Sequence, residues 1–328
     1  MNHQKRYILL ATGGTIASVA GENGLHPGIS ARELLRRIGV PADVQLEGRD
    51  VFALDSSNVQ PEEWQVLARA VRQALQEADG VLVTHGTDTL AYTAAALSFM
   101  LLDVNKPVVL TGSQLPLGHP LSDAPANFME ALAVLRQAER GVYLVFHHQV
   151  ILGTRAVKMR TTAFDAFHSV NAANFGWIDA EGVHLSAPLP PPPLPPLSDK
   201  MDSRVFLLKL IPGTSPDVLD WLVSAGYRGL VIEAFGLGGV HYIRRNLVDK
   251  LHEISQKGVI TLVTTQCMYE KANFSLYEVG RNVLSSRVFS GRDMTTEAAV
   301  CKLMWTLGDP DSRLPLLQRS LCGEITEG

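Results

Sequence analysis

Cysteine is scarce in this chain, with three among 328 residues, at positions 267, 301 and 322. The number is odd and no two stand in a C-x-x-C pair, which argues against a disulfide scaffold and a cysteine-rich zinc site and fits the reduced thiols of a cytoplasmic protein. Charge is also sparse: 19% of residues are charged and the formal net charge is -4. So small a balance steers no polyanion, and no basic patch points to nucleic acid. Long apolar runs are missing too. The first, Tyr7 to Ala11, follows the basic start Asn2-His3-Gln4-Lys5-Arg6 and stops before Gly13-Gly14. A signal sequence needs roughly 7–15 apolar residues and a membrane span about 20. The segment is therefore expected to be a first strand, with no membrane partner. Nucleotide signatures are absent as well, since neither Thr12-Gly13-Gly14-Thr15 nor Gly236-Leu237-Gly238-Gly239 fits G-x-G-x-x-G or the P-loop pattern.

What the chain does have is a hydrophobic content of 46%, spread over more residues than one core usually holds, so two domains are expected. Apolar runs alternate with helical patterns through the first half: 81–83 then 89–102, 108–111 then 123–139, then 142–146. This is the rhythm of a parallel sheet covered on both faces. Pro61 with Glu62 and Glu63 opens a further helix. Residues 189–197 hold six prolines, which suits an extended spacer. Beyond it the alternation resumes with strands at 205–210, 230–232 and 259–264 and helices opened at 215–217, at 244–256 and at 296–307. The expected architecture is α/β: a larger N-terminal parallel-sheet domain (1–185), a proline-rich linker (186–203) and a smaller C-terminal α/β domain (204–328).

Two strand ends carry hydroxyls beside glycines. Thr12-Gly13-Gly14-Thr15 follows the first apolar run, and Thr84-His85-Gly86-Thr87-Asp88-Thr89 follows Val81-Leu82-Val83. In an open parallel sheet the carboxyl ends of the strands form the ligand crevice. A threonine there becomes an acyl-transfer nucleophile once a base takes its proton, and the glycines let a substrate reach backbone N–H groups that can hold an oxyanion. The pair suggests hydrolysis of an amide. A lysine oriented by a carboxylate would supply the base. The plainer alternatives are that Asp88 or Thr87 merely caps a helix and that Asp55-Ser56-Ser57-Asn58 is only a turn before Pro61. His147-His148, taken as adjacent strand residues, would face opposite sides of a sheet and so do not suggest a metal pair. His85 is expected to be a packed, hydrogen-bonded neighbour of the site.

The runs ATGGTIAS, Asp55-Ser56-Ser57, HGTDTLAYTAAALSFML, TGSQLPL, the stretch from Lys158 to Phe167 and Thr265-Gln266-Cys267-Met268 occur in order over nearly the whole chain. Together they resemble the bacterial L-asparaginases of the cytoplasmic type I branch. That resemblance implies hydrolysis of L-asparagine to L-aspartate and ammonia, without metal or other cofactor, by a homodimer or homotetramer whose sites are completed between subunits. It makes Thr15 the nucleophile, Thr87 and Asp88 the second threonine and its carboxylate, and Lys158 the lysine. Asp55, Ser56 and Ser57, with Gly86, Thr87 and Asp88, would bind the substrate. Two positions depart from the pattern. Leu25 stands where many members have a tyrosine that partners the nucleophile, and Glu233 stands where allosteric members have an effector-binding arginine, although Cys267 suits the effector region. A glutamine amidohydrolase, including an ammonia-supplying component of an amidotransferase, and a non-catalytic amino-acid-binding protein are the rival expectations. The amidotransferase role would usually call for an RNA-binding extension.

Overall fold

The computed structural model describes residues 4–21, 24–192, 198–274 and 287–327. The chain divides into two compact units, Met1–Ser169 with Ala173–Asp199, and Val170–Ala172 with Lys200–Gly328.

Among the described residues of the first unit, strands β1 (Arg6–Gly13), β2 (Ser18–Gly21), β3 (Gly24–Pro27), β4 (Gln45–Leu54), β5 (Gly80–Thr84), β6 (Pro107–Thr111), β7 (Gly141–Phe146), β8 (Gln149–Leu152), β9 (Ala156–Lys158), β10 (Phe167–Ser169), β11 (Gly176–Asp179) and β12 (Gly182–Leu185) accompany helices α1 (Ala31–Ile38), α2 (Pro61–Glu77), α3 (Leu90–Met100) and α4 (Ala124–Gln137). Eight strands form the main sheet, in the order β12-β11-β8-β7-β6-β5-β1-β4. β5 and β6 are buried throughout, and their unbroken apolar sequences reflect cover on both faces. Helix α2 starts at Pro61 with Glu63 closing a capping box on Gln60, and it turns Trp64, Leu67, Ala68 and Val71 inward. Helix α3 is apolar all round and buried.

The expectation of a parallel sheet holds for β4, β1, β5, β6 and β7 and fails beyond them, because β8, β11 and β12 each run antiparallel to their neighbours. The reversal begins at His147 and His148, which are not strand residues. They form the two-residue turn between β7 and β8 and have φ of 46° and 65°. Positive φ at both central positions matches the right-handed twist of a tight hairpin, which can join only antiparallel strands.

Counted along the chain, the five parallel strands stand in the order second, first, third, fourth, fifth. The chain's progression reverses between β1 and β5, and such a reversal opens a crevice at the carboxyl ends of the strands. The motifs with Thr15 and Thr87 follow those two strands.

In the second unit, β13 (Val205–Lys209), β14 (Gly229–Ala234), β15 (Ile260–Thr265) and β16 (Val288–Ser290) form a parallel sheet in chain order. Among the described residues, helices α5 (Asp217–Ser224), α6 (Leu247–Gln256), α7 (Thr296–Gly308) and α8 (Pro310–Arg313) accompany it. The helix expected from residue 244 begins later. Arg244 has φ of 66°, outside helical geometry, and Asn246 caps α6 by accepting from the Asp249 N–H. Residues 193–197 of the proline-rich segment lie outside the described residues.

Candidate active site

Backbone close approach joins the two glycine motifs. Gly14 has φ of 75° and its N–H donates to Leu54 O at 2.9 Å. A Cβ on Gly14 would collide with the N and Cα of Gly86, and one on Gly86 would lie 2.6 Å from Ser56 Oγ. Gly14, Gly86 and Ser56 therefore meet at one point, at a separation only glycine allows. Each glycine is followed by a threonine, so Thr15 and Thr87 flank this contact. Thr12 Oγ1 ties the two strand ends by donating to Thr84 O at 2.9 Å. Thr15 opens a short 3-10 turn, Thr15–Ala17, and remains partly exposed.

Thr87 is 6% exposed. Its Oγ1 accepts from Lys158 Nζ at 2.8 Å, and the same ammonium reaches Asp88 Oδ1 at 2.6 Å. Lys158 is the last residue of β9, whose Ala156-Val157-Lys158 pairs with β10. Asp88 does not cap α3. Its side chain goes to Lys158, its N–H donates to Ser56 Oγ at 3.2 Å, and the residue before the helix, Thr89, uses its hydroxyl on Ser56 O at 2.7 Å.

The Asp55-Ser56-Ser57 segment divides. Ser56 is buried and joins the strand-end cluster. Asp55 and Ser57 bond each other: Asp55 Oδ1 accepts from Ser57 N at 2.9 Å and from Ser57 Oγ at 2.5 Å. The Ser57 hydroxyl and N–H hold the Asp55 carboxyl below the usual carboxylate range. These two exposed residues form the turn into α2 and do not bond to Thr87, Asp88 or Lys158 among the described residues. Leu25 lies in the β2–β3 hairpin opposite Ala20, and Glu22 and Asn23 beside it are outside the described residues.

His85 is fully buried, as expected of a packed neighbour. Its Nδ1–H donates to Gly86 O at 2.8 Å, and its Nε2 faces Thr93 Oγ1 at 3.0 Å, which in turn accepts from Trp64 Nε1. Burial pushes the imidazole down to about 4, so it is neutral and unsuited to accept a proton near neutral pH.

One residue of this cluster is not among those expected from the sequence. Gln114 follows β6, and its Oε1 accepts from Thr87 Oγ1 at 3.3 Å while its Nε2 donates to Ala163 O at 3.0 Å. Asp123 holds the loop by accepting from the N–H groups of Gln114 and Leu115. The signal is present: Thr111-Gly112-Ser113 places glycine and hydroxyls at the carboxyl end of the strand beside β5, as the other two motifs do.

In the second unit, Glu233 ends near the carboxyl edge of its sheet. Its Oε1 accepts from Thr296 Oγ1 at 2.5 Å and its Oε2 lies 3.5 Å from Lys209 Nζ. Cys267 is exposed.

The family model for the asparaginase N-terminal domain matches residues 6–190, and that for the glutaminase/asparaginase C-terminal domain matches residues 204–314. The chain belongs to the asparaginase/glutaminase family. As a member it is an enzyme, an amidohydrolase. An L-asparaginase of Thermococcus kodakarensis is 39% identical over 98% of this chain and 99% of its own length. Its solved structure superposes with a TM-score of 0.91, covering 98% and 100% of the two chains. The crystal structure of L-asparaginase I from Vibrio cholerae is 28% identical with a TM-score of 0.83, covering 98% and 100%. A glutamyl-tRNA(Gln) amidotransferase component from Methanothermobacter thermautotrophicus is 35% identical over 97% of this chain and 76% of that protein. No described helix of this family member is long and apolar enough to cross a membrane.

Proposed function

We propose that this chain is an L-asparaginase of the cytoplasmic type I branch, hydrolysing L-asparagine to L-aspartate and ammonia. The observation that carries the reading is the ammonium of Lys158 held between the Thr87 hydroxyl and the Asp88 carboxylate, beside the Gly14–Gly86 contact at the reversal of strand order. Thr15 attacks the side-chain amide carbon, and backbone N–H groups of the glycine turns stabilise the oxyanion. Ammonia leaves, and water, activated beside Thr87 and Lys158, releases aspartate. Asp88 accepts from the substrate ammonium, as its 62% exposed side chain allows, and Ser56 donates to the α-carboxylate, with Ser57 as a second donor to it and Asp55 as a second acceptor for the α-ammonium. The last two must release each other to do so. The enzyme works as a homodimer or homotetramer, with no cofactor.

The second reading, a glutamine amidohydrolase serving an amidotransferase, is supported by the 35% identity to the Methanothermobacter amidotransferase component. The asparaginase reading is preferred because the 39% identity to the Thermococcus kodakarensis L-asparaginase extends over 99% of that protein, against 76% of the amidotransferase component. Ammonia release measured with L-asparagine, L-glutamine and D-asparagine over a concentration range tests both. Turnover preferring L-asparagine is expected. A preference for glutamine would move the assignment to the second reading, and no ammonia from any of them would reject both.

A further inference from the structure

We infer that Gln114 is a positioning residue that sets the direction of the Thr87 hydroxyl proton. This inference rests on the reading of Thr87 and Lys158 as the reacting pair.

Donor counting fixes that direction. Ala163 O can only accept, so the atom of the Gln114 amide that faces it at 3.0 Å is the NH₂ group. That orientation turns Oε1 toward Thr87 Oγ1. Oε1 can only accept, so the proton between the two oxygens belongs to Thr87. On the other side of Thr87, Lys158 Nζ sits 2.8 Å from Oγ1 and 2.6 Å from Asp88 Oδ1. An ammonium has donors and no lone pair, so it gives one N–H to Oγ1 and another to the carboxylate. The Thr87 proton is thus directed at Gln114, and a Thr87 lone pair at Lys158.

In this arrangement Thr87 cannot hand its proton to Lys158. Transfer requires the hydroxyl to turn from Gln114 to a lysine that has lost its own proton. The Thr87–Gln114 distance of 3.3 Å is long for O–H···O and leaves that rotation easy. Gln114 thus fixes the Thr87 oxygen beside Lys158, where a turn of the hydroxyl hydrogen alone, without a turn of the side chain, completes the transfer, and that placement is what its loss removes. Its own place is fixed twice, by Asp123 on its backbone and by Ala163 on its side chain.

Two measurements on the full chain test this. Joint neutron and X-ray refinement of deuterium-exchanged crystals near neutral pH should show the deuteron of Thr87 on the line from Oγ1 to Gln114 Oε1. A deuteron directed from Thr87 to a neutral Lys158 overturns the inference whatever the substrate is. In steady-state ammonia release, Gln114→Met, which keeps the length and loses both polar atoms, should lower kcat about tenfold, as expected for one oriented hydrogen bond, with KM within twofold. Gln114→Glu returns an acceptor to Thr87 and should recover part of that loss. Its carboxylate also stands one hydroxyl away from the Lys158 ammonium and makes loss of that proton harder, so the acid limb of its pH profile, which a lysine acting as base sets, should move upward. A Gln114→Met enzyme with unchanged kcat and pH limbs, or one whose activity falls only as its folded fraction falls, overturns the positioning role. A wild-type enzyme inactive on both amides would instead reject the proposed function, leaving the deuteron position to decide the present inference.

Discussion

Four side chains, Thr15, Thr87, Asp88 and Lys158, and two glycines carry most of the proposed chemistry. Thr15→Val and Thr87→Val each remove one hydroxyl at almost constant volume, and each should lower kcat by about 10³-fold or more while the fold survives, as for other nucleophile and base deletions. Circular dichroism and steady-state ammonia release check this, and near-normal turnover by Thr15→Val would remove it as nucleophile. Lys158→Met keeps much of the stem and deletes the amine that bridges Thr87 and Asp88. Its kcat should collapse while substrate binding, measured by calorimetry, persists. Legibility at this scale is uneven. Thr15, Thr87 and Asp88 are announced by motifs beside glycine, whereas Lys158 lies far along the chain and is identified in the sequence through the family resemblance alone. Asp55 and Ser57 share a motif with Ser56, but only tertiary contact shows that Ser56 alone turns inward.

At the scale of elements, helix α7 concentrates two unusual charged groups. Glu297 stands in its first turn, and burial, with Glu233 adding to the effect, pushes its carboxyl up to about 7. The sign follows from linkage. The unfolded chain loses this proton near the ordinary value of 4.5 and the folded chain holds it to about 7, so the cost to stability is absent below 4.5, grows between these values and is complete above 7. Its ceiling is about 3 kcal/mol, and partial exposure of the residue reduces it. Glu297→Gln should therefore match the parent in urea unfolding at pH 4.5 and exceed it at pH 8. Equal stabilities at both values would contradict the assignment. Farther along the same helix, Lys302 Nζ lies 2.6 Å from Glu324 Oε1, both side chains fully buried, and the carboxylate also accepts from the N–H groups of Leu321 and Cys322. Lys302→Met leaves that carboxylate buried without its cation and should cost about 3–5 kcal/mol. The double variant Lys302→Met/Glu324→Gln should recover part of the loss in the same unfolding experiment.

Regulation and assembly belong to the scale of the whole molecule. An arginine at position 233 would meet an effector carboxylate with two N–H groups, whereas Glu233 repels it and is already engaged by Thr296 and Lys209. The rate should rise hyperbolically with asparagine concentration. A steep sigmoid with a second asparagine bound near Cys267 would show that other residues rebuild the switch. The proposed oligomer predicts that specific activity falls when dilution, followed by sedimentation, produces monomer. A fully active monomer would refute shared sites.

Local sequence determined the alternation of strand and helix, the glycine turns after β1 and β5 and the burial of α3, because propensity, periodicity and the demands of positive φ act over a few residues. Tertiary structure alone decided where the parallel sheet stops, since a two-residue turn at His147-His148 depends on the pairing of β8 with β7. It also decided which polar groups meet. Lys158 lies 71 positions from Thr87, and no local rule chooses among lysines at that distance. The Gln114 amide acquires its direction only when Ala163 arrives from another loop, because an amide can hydrogen bond either way round until a fixed acceptor selects its NH₂ end.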